Sequence, residues 1–276
     1  MDENKPATHV IDPEGEVMLV LQNPNAPFAV WEGDSESKKD DTLQKQEFRI
    51  LVSAKHLTFV SPVFKYALEG NWKEGNVVRA GRVVEITADG WDLEALLMLL
   101  KICHCQHHQI PRTISLELLA KILVLADCYQ CFDTLRYFTD TWIGDLEKTT
   151  FPEQYSRDVL LGVWISWTLK VPTLFKQATV VAVWHAKHKI TSIGLPISQK
   201  VIDHINRERR KLIGEIFSRL DKLEGDLIDA PRSYSFECRS IMLGNFIIQR
   251  HSKGTVPWLN VKWTNLFGGL DLGTLL

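Results

Sequence analysis

Cysteine is scarce in this sequence. The chain has 276 residues and five cysteines, an odd number without regular spacing. Small domains that are held together by disulfides carry cysteines in even numbers and at recurring intervals. The sequence therefore predicts free thiols and an intracellular protein, in the cytoplasm, the nucleus or both.

The sequence also lacks a large excess of positive or negative charge, and it lacks long apolar runs. The formal net charge is −2, whereas proteins that bind nucleic acids or membrane surfaces carry basic patches. No apolar run approaches the roughly 18–20 residues of a membrane-spanning helix, and no apolar segment of the secretory type follows Met1. We expect no nucleic-acid partner and no membrane partner.

Catalytic motifs are missing as well. The sequence has no phosphate-binding G-x-x-x-x-G-K-[ST] loop, no G-x-S-x-G and no H-E-x-x-H. Gly268, Gly269 and Gly273 do not have the spacing of a dinucleotide-binding loop. We expect no enzyme, no catalytic residues, no cofactor and no small-molecule substrate.

The clearest local signals lie in residues 48–74. Phe48, Ile50 and Val52 alternate with their neighbours at the period of a strand with one more buried face. Ser53 precedes a helical run that carries Leu57, and its hydroxyl can cap the free N–H groups of that helix.

A second helix is predicted to begin at Pro62. Ser61 stands at its N-cap, and proline is favoured at the first helical position because its missing N–H costs nothing there. Gly70-Asn71 is a typical helix stop. The apolar stripe of this helix consists of Val63, Phe64, Ala67 and Leu68.

These features together resemble the BTB (POZ) domain. The resemblance rests on the strand, the helix with His56-Leu57, the box Ser61-Pro62-Val63-Phe64 and the loop Gly70-Asn71-Trp72-Lys73-Glu74. The segments SAKHL, SPVFK and GNWKEG are most similar to BTB proteins of filamentous fungi. The resemblance implies an α+β fold, a small mixed sheet with a helix cluster. It also implies a non-catalytic protein–protein interaction function that includes homodimerisation.

The rest of the chain is consistent with this fold class. Alternation predicts strands at Val17–Leu21, Phe28–Trp31 and Val83–Ile86, and helical stripes then follow Asp92, Ser115 and Phe132. Strands followed by a helix cluster are typical of α+β domains. From residue 151 only helices are predicted, the longest over residues 199–225, and residues 232–276 have mixed periodicity.

We predict three parts of the chain. Residues 1–15 form a flexible N-terminus, and residues 16–146 form the BTB domain, with a charged insert at 32–47 that is too polar to bury. Residues 147–276 form an all-helical C-terminal extension.

The candidate interaction residues are Phe64, Trp72, Lys73 and Glu74. A tryptophan in a loop is a typical anchor of protein interfaces. The resemblance implies a narrower function, because BTB adaptors of cullin ubiquitin ligases contact the cullin through a hydrophobic-x-acidic triplet, which Trp72-x-Glu74 matches. The alternative is that Trp72 packs back on Phe64 or Tyr66. The strand at Val17–Leu21 is the candidate for exchange between subunits.

Histidines and cysteines suggest a zinc site as a further alternative. Zinc needs about four ligands; Cys103 and Cys105 converge only in a loop, whereas Cys128 and Cys131 are expected to share a helix face. The main expectation is buried free thiols and no metal, and a zinc-dependent nucleic-acid binder stays open. A basic run is expected to form a solvated helix face, and the alternative is a patch for nuclear localisation or for an acidic partner. The run consists of Arg207, Arg209, Arg210 and Lys211.

Overall fold

The structure is a computed structural model that describes residues 5–31, 47–69, 82–146, 151–229 and 235–253. These ranges contain nine α-helices and one four-stranded mixed sheet, so the predicted α+β class is confirmed. None of the described helices is both long enough and apolar enough to cross a bilayer.

The strands and helices have the following bounds. The strands are β1 His9–Val10, β2 Val17–Gln22, β3 Phe48–Val52 and β4 Val84–Asp89. The helices are α1 Ala54–Val60, α2 Pro62–Glu69, α3 Leu93–Cys103, α4 Leu116–Tyr129, α5 Phe132–Leu146, α6 Arg157–Thr168, α7 Pro172–His185, α8 Gln199–Ile228 and α9 Phe236–Ser252.

The chain groups into two compact units. The first comprises Met1–Phe151, Leu160–Phe175 and Ile193–Pro196, and the second Pro152–Val159, Lys176–Ser192 and Ile197–Leu276. The predicted boundary after residue 146 lies close to Phe151, but the first unit also takes in later segments of the chain.

The sheet of the first unit has the order β1-β3-β2-β4. β2 runs antiparallel to β3 and parallel to β4, and β1 runs parallel to β3. Every residue of β2 from Val17 to Leu21 is buried, because this strand has neighbours on both edges and packed elements on both faces.

Two expectations about the strands are corrected by the structure. β2 is an interior strand, so its exchange between subunits would break hydrogen bonds on both of its edges, and we do not retain it as the exchanged strand. Residues 28–31 do not form a strand. Ala29 has φ +48°, in the left-handed region, which interrupts extended backbone.

A buried arginine, Arg49, links β3 to β4 and to the chain segments at Lys5 and Glu47. Arg49 lies on β3 with its side chain 8% exposed, and it pairs with Glu85 of β4 and with Glu47. Its Nε also donates to the backbone oxygen of Lys5 at 3.1 Å. The hydrogen bond with Glu85 raises the pKa of Arg49, so the buried charge is stabilised by carboxylates.

The two short helices of residues 54–69 begin at the serines predicted to cap them. The Ser53 hydroxyl accepts from the N–H of His56, and the Ser61 hydroxyl accepts from the N–H of Phe64 at 3.2 Å. Ser61 is also buried, and its hydroxyl donates to the backbone oxygen of Tyr129 at 2.5 Å. One serine therefore caps α2 and joins it to the end of α4.

Later helix boundaries differ in part from the predictions. α6 ends at Thr168, and α7 begins at Pro172, as suits a proline at the first helical position. The predicted helix at 199–225 is confirmed as α8. Arg209 is 3% exposed, so its placement on a solvated face was wrong. It lies four residues from both Ile205 and Ile213, on the apolar stripe.

The second unit has its core where α8 carries Ile213 and Phe217, against which Trp184, Leu212 and Ile216 pack. The bounds of α9 were not predicted within the all-helical extension, because its apolar residues follow no single period. It begins at Ser235, whose hydroxyl accepts from the N–H of Cys238 at 3.2 Å. Arg250 of α9 is buried and pairs with Asp221 and Glu224 of α8.

We predict that Ser61→Ala destabilises the protein more than Ser115→Ala. Ser115 is an exposed N-cap that accepts from the N–H of Leu118 at 3.1 Å, so its loss should cost about 1 kcal/mol. Ser61→Ala removes a cap and also leaves the Tyr129 carbonyl unpaired, for a loss of roughly 2–4 kcal/mol. Urea denaturation followed by circular dichroism measures both, and equal losses would contradict the double role of Ser61.

Candidate functional site

Three apolar side chains of α1 and α2 point to solvent. Phe59 is 91% exposed, Tyr66 is 68% exposed and Val63 is 37% exposed. They lie within eight residues of chain on two helices that pack on each other, and Val63 and Tyr66, three residues apart, share one helix face. We call these three residues the α1–α2 surface.

The α1–α2 surface exists because another stripe of the same helices fills the core. Leu57 of α1 and Phe64 and Leu68 of α2 are buried. These short helices thus have an apolar side that faces the core, and they carry further apolar side chains that are exposed to solvent. Isolated exposed apolar residues are ordinary, but a group of them on two adjoining short helices is typical of an interaction site.

Of the predicted interaction residues, Phe64 is placed in the core. It is 5% exposed, and its ring stacks on Tyr129 with centroids 4.6 Å apart and planes at 16°. We therefore assign Phe64 to the packing of α2 on α4 and not to a surface contact. Burial raises the pKa of Tyr129 to about 12, so this ring stays neutral.

The other three predicted residues, Trp72, Lys73 and Glu74, lie outside the described residues, and their role stays a prediction. Sequence reasoning missed Phe59. A signal for it was present, because Phe59 stands two residues after the buried Leu57 and off its stripe, at a position where an amphipathic helix is normally polar.

The cysteines and histidines do not form the arrangement that a zinc site needs. Cys128 is exposed and Cys131 is buried. They do not share a helix face, because α4 ends at Tyr129 and Gln130 adopts a left-handed conformation between them. In the described part of the chain, no three His, Cys, Asp or Glu side chains lie close enough to hold a metal ion.

The buried thiols have a packing role instead. The Cys103 thiol at the end of α3 forms a hydrogen bond with the Cys131 sulfur. This hydrogen bond and burial together raise the pKa of Cys103. His107 is also engaged in packing, with its ring centroid 5.2 Å from that of Phe138. A thiol with a raised pKa is a poor nucleophile, because the thiolate is the reactive form.

His104 connects α3 to the start of α1. Its Nε2 accepts from the N–H of Ser53 at 3.0 Å, and its Nδ1 lies 2.7 Å from the carbonyl oxygen of Leu100. A carbonyl oxygen only accepts, so Nδ1 carries the proton and the ring is neutral. Burial lowers the pKa of His104, and the electrostatic effect of the neighbouring His56, whose ring centroid lies 4.9 Å from that of His104, lowers it further.

A cleft of about 430 Å³ lies in the first unit. Phe28, Trp91, Asp92 and Lys121 are among its lining residues. The Lys121 ammonium lies 2.8 Å from carboxylate oxygens of both Asp92 and Glu117, and 5.7 Å from the centroid of the Phe28 ring. Burial alone would lower the pKa of Lys121, but the two carboxylates outweigh it and raise the pKa. Lys121 is thus held as an ammonium, which has no lone pair for nucleophilic chemistry.

Comparisons with known proteins add no family to this description. The sequence matches no protein-family model, and the curated proteins contain no match to it.

We predict that acid destabilises the protein through His104. Its pKa is lowered in the folded state, so the unfolded chain binds a proton that the folded chain excludes, and stability falls as the pH drops below about 6.5. His104→Gln should flatten the decline in the free energy of unfolding between pH 7.5 and pH 5. The exposed His108 supplies the matched control, and His108→Gln should keep the original slope. An unchanged slope in His104→Gln would contradict the role of His104.

Proposed function

We propose that this chain is a BTB-type protein–protein interaction protein without catalytic activity, and that it associates with a second copy of itself. The observation that carries the proposal is the α1–α2 surface, with Phe59 almost fully exposed. Aromatic side chains are the typical anchors of protein interfaces, since they bury a large area at a small cost in side-chain entropy.

The local architecture of residues 48–69 supports the BTB assignment. The strand, the helix with His56-Leu57 and the Ser61-Pro62-Val63-Phe64 box were the basis of the resemblance. They occur as β3, α1 and α2 in a small mixed sheet followed by packed helices. Each predicted cap in this stretch is made.

Two further observations support self-association. Apolar surfaces pair without charge repulsion, and the net charge of the chain is only −2. Among the described strands, β1 lies at the outer edge beside β3, with Val10 of β1 55% exposed. A contact through the same patch on both copies would have twofold symmetry, which is the commonest arrangement of homodimers.

We expect Phe59→Asp to abolish self-association. The side chain is exposed, so the substitution should leave the fold intact while placing a charge in the contact. Light scattering of the full chain should give twice the chain mass for the parent protein and the single mass for Phe59→Asp. Tyr137→Asp is the matched control, because Tyr137 is an aromatic that is 79% exposed on α5, outside the α1–α2 surface. A Phe59→Asp dimer, or a parent protein that is a monomer, would contradict self-association through this surface.

The narrower function, adaptor of a cullin ubiquitin ligase, rests on the triplet Trp72-Lys73-Glu74. The triplet begins three residues after Glu69, the last residue of α2, so it adjoins the α1–α2 surface along the chain. Trp72 would supply the apolar anchor and Glu74 the acidic contact. The residues after 150 would then serve to recruit a substrate.

We predict that the pair of substitutions Trp72→Ala and Glu74→Ala abolishes binding to a cullin N-terminal domain, measured by light scattering of the mixture. Lys73→Ala is the matched control, since the middle position of the triplet is unrestricted and binding should persist. Absence of a complex with the parent protein would remove the adaptor function and leave self-association as a separate result.

A further inference from the structure

The cleft of the first unit has walls that are mostly apolar. Phe28 and Trp91 contribute aromatic rings. The aliphatic part of the lining includes Val30, Val124 and Leu125. The volume of about 430 Å³ falls within the range of roughly 300–1,000 Å³ that is typical of small-molecule sites. A cavity of this size and composition can enclose an aromatic or aliphatic body.

The two turns that carry Phe28 and Trp91 are joined by hydrogen bonds. The N–H of Asn25 donates to the carbonyl oxygen of Trp91 at 2.9 Å. The side-chain oxygen of Asn25 accepts from the N–H of Leu93 at 3.1 Å. These walls of the cleft are therefore fixed before a ligand arrives, and a preformed site costs less entropy to fill.

Unusual backbone conformations also line the cleft. Ala29 has φ +48° and Ile193 has φ +47°, so both lie in the left-handed region. A β-branched residue such as isoleucine is a rare exception in that region. Strained residues of this kind cluster at ligand-binding sites, where the surrounding structure holds them in place. The backbone thus supports the assignment of the cleft as a binding site.

The polar groups at the cleft carry more negative than positive charge. Among the described residues that line the cleft, Asp92 and Lys121 are the charged ones. Lys121 also pairs with Glu117, so its ammonium lies 2.8 Å from an oxygen of each carboxylate. The three groups sum to one negative charge. A cation that approaches them is therefore attracted, and an anion is repelled.

The Asp92 carboxylate can accept further hydrogen bonds. Its Oδ1 accepts from the N–H of Ala95 at 3.0 Å, and its Oδ2 accepts from Lys121 at 2.8 Å. A carboxylate has about four lone-pair sites, so both oxygens keep acceptor capacity. The Asp92 side chain is 19% exposed and lines the cleft, so a bound molecule can reach it. An ammonium group is a matching donor, and its hydrogen bond to a carboxylate is strengthened by charge.

We propose that this cleft binds a small organic amine. The apolar body of the amine packs on Phe28 and Trp91, and its ammonium group binds the Asp92 carboxylate. Glu117 supplies the second negative charge, which offsets the repulsion from Lys121. This binding is independent of the BTB-type function, and it requires no catalytic group.

A free amine fits the cleft better than an extended peptide does. A peptide would be held by hydrogen bonds to backbone groups of the walls, but these groups already bond to each other. The N–H of Gly90 donates to the carbonyl oxygen of Gln22 at 2.9 Å, and the carbonyl oxygen of Trp91 accepts from Asn25. Recognition therefore depends on the apolar side chains and the carboxylate.

The experiment is isothermal titration calorimetry of the full chain with tryptamine at pH 7, where an alkylamine is protonated. Indole-3-propionate is the matched probe, because it has the same ring and linker but carries a carboxylate. Tryptamine should bind at least about tenfold more tightly than indole-3-propionate, since the charge of the cleft attracts the first and repels the second.

Two substitutions test the carboxylates. Asp92→Asn should weaken tryptamine binding about tenfold, while asparagine still serves as the N-cap of α3. Glu117→Gln should act in the same direction without touching that cap. Glu94→Gln is the matched control, because it removes an equal charge from an exposed residue of α3 outside the described lining of the cleft, and binding should be unchanged. Circular dichroism melting curves verify that each variant is folded.

Three results would overturn the proposal. The first is a parent protein that does not bind tryptamine or that binds both probes equally. The second is full tryptamine affinity in both Asp92→Asn and Glu117→Gln. The third is tighter binding of the peptide acetyl-Lys-Trp-amide than of tryptamine, because it would indicate a protein segment as the ligand.

Discussion

The first unit depends on the burial of one strand between two others. β2 is hydrogen-bonded to β3 on one edge and to β4 on the other, and its five residues from Val17 to Leu21 are buried. Just before β2, the chain at Gly15 lies close to the end of β3, so that a Cβ on Gly15 would lie 2.5 Å from the carbonyl oxygen of Val52. Burial of this strand on both faces contributes hydrophobic stabilisation to the sheet, and it fixes the register of both neighbouring strands.

Around β2, three buried polar side chains determine how neighbouring helices and strands are joined. Ser61 links α2 to α4, His104 links α3 to the beginning of α1, and Arg49 reaches across the sheet to Glu85. Each is satisfied by specific partners, and each would be costly to leave unpaired in the interior. These contacts specify one arrangement of elements that apolar packing alone would hold less uniquely.

Both units expose large apolar side chains on helices that also contribute to packing. In the first unit, α1 and α2 complete the core with one stripe and still expose Phe59, Val63 and Tyr66. In the second, α9 uses ion pairs of Arg250 toward α8 and keeps five large apolar side chains outside. Covering such surfaces lowers the free energy, and this is the physical basis of the self-association that we propose for the α1–α2 surface.

The sequence by itself determined the α+β class, most strands and helices, and the serine caps, because these follow from local periodicity and from hydrogen bonds within a few residues. It did not determine that Phe64 and Arg209 are buried, that Cys128 and Cys131 face different surroundings, or that Phe59 is exposed. A local pattern indicates which residues share a stripe. Only the tertiary structure decided which stripes meet another element and which meet water, because burial depends on contacts between residues far apart in the chain.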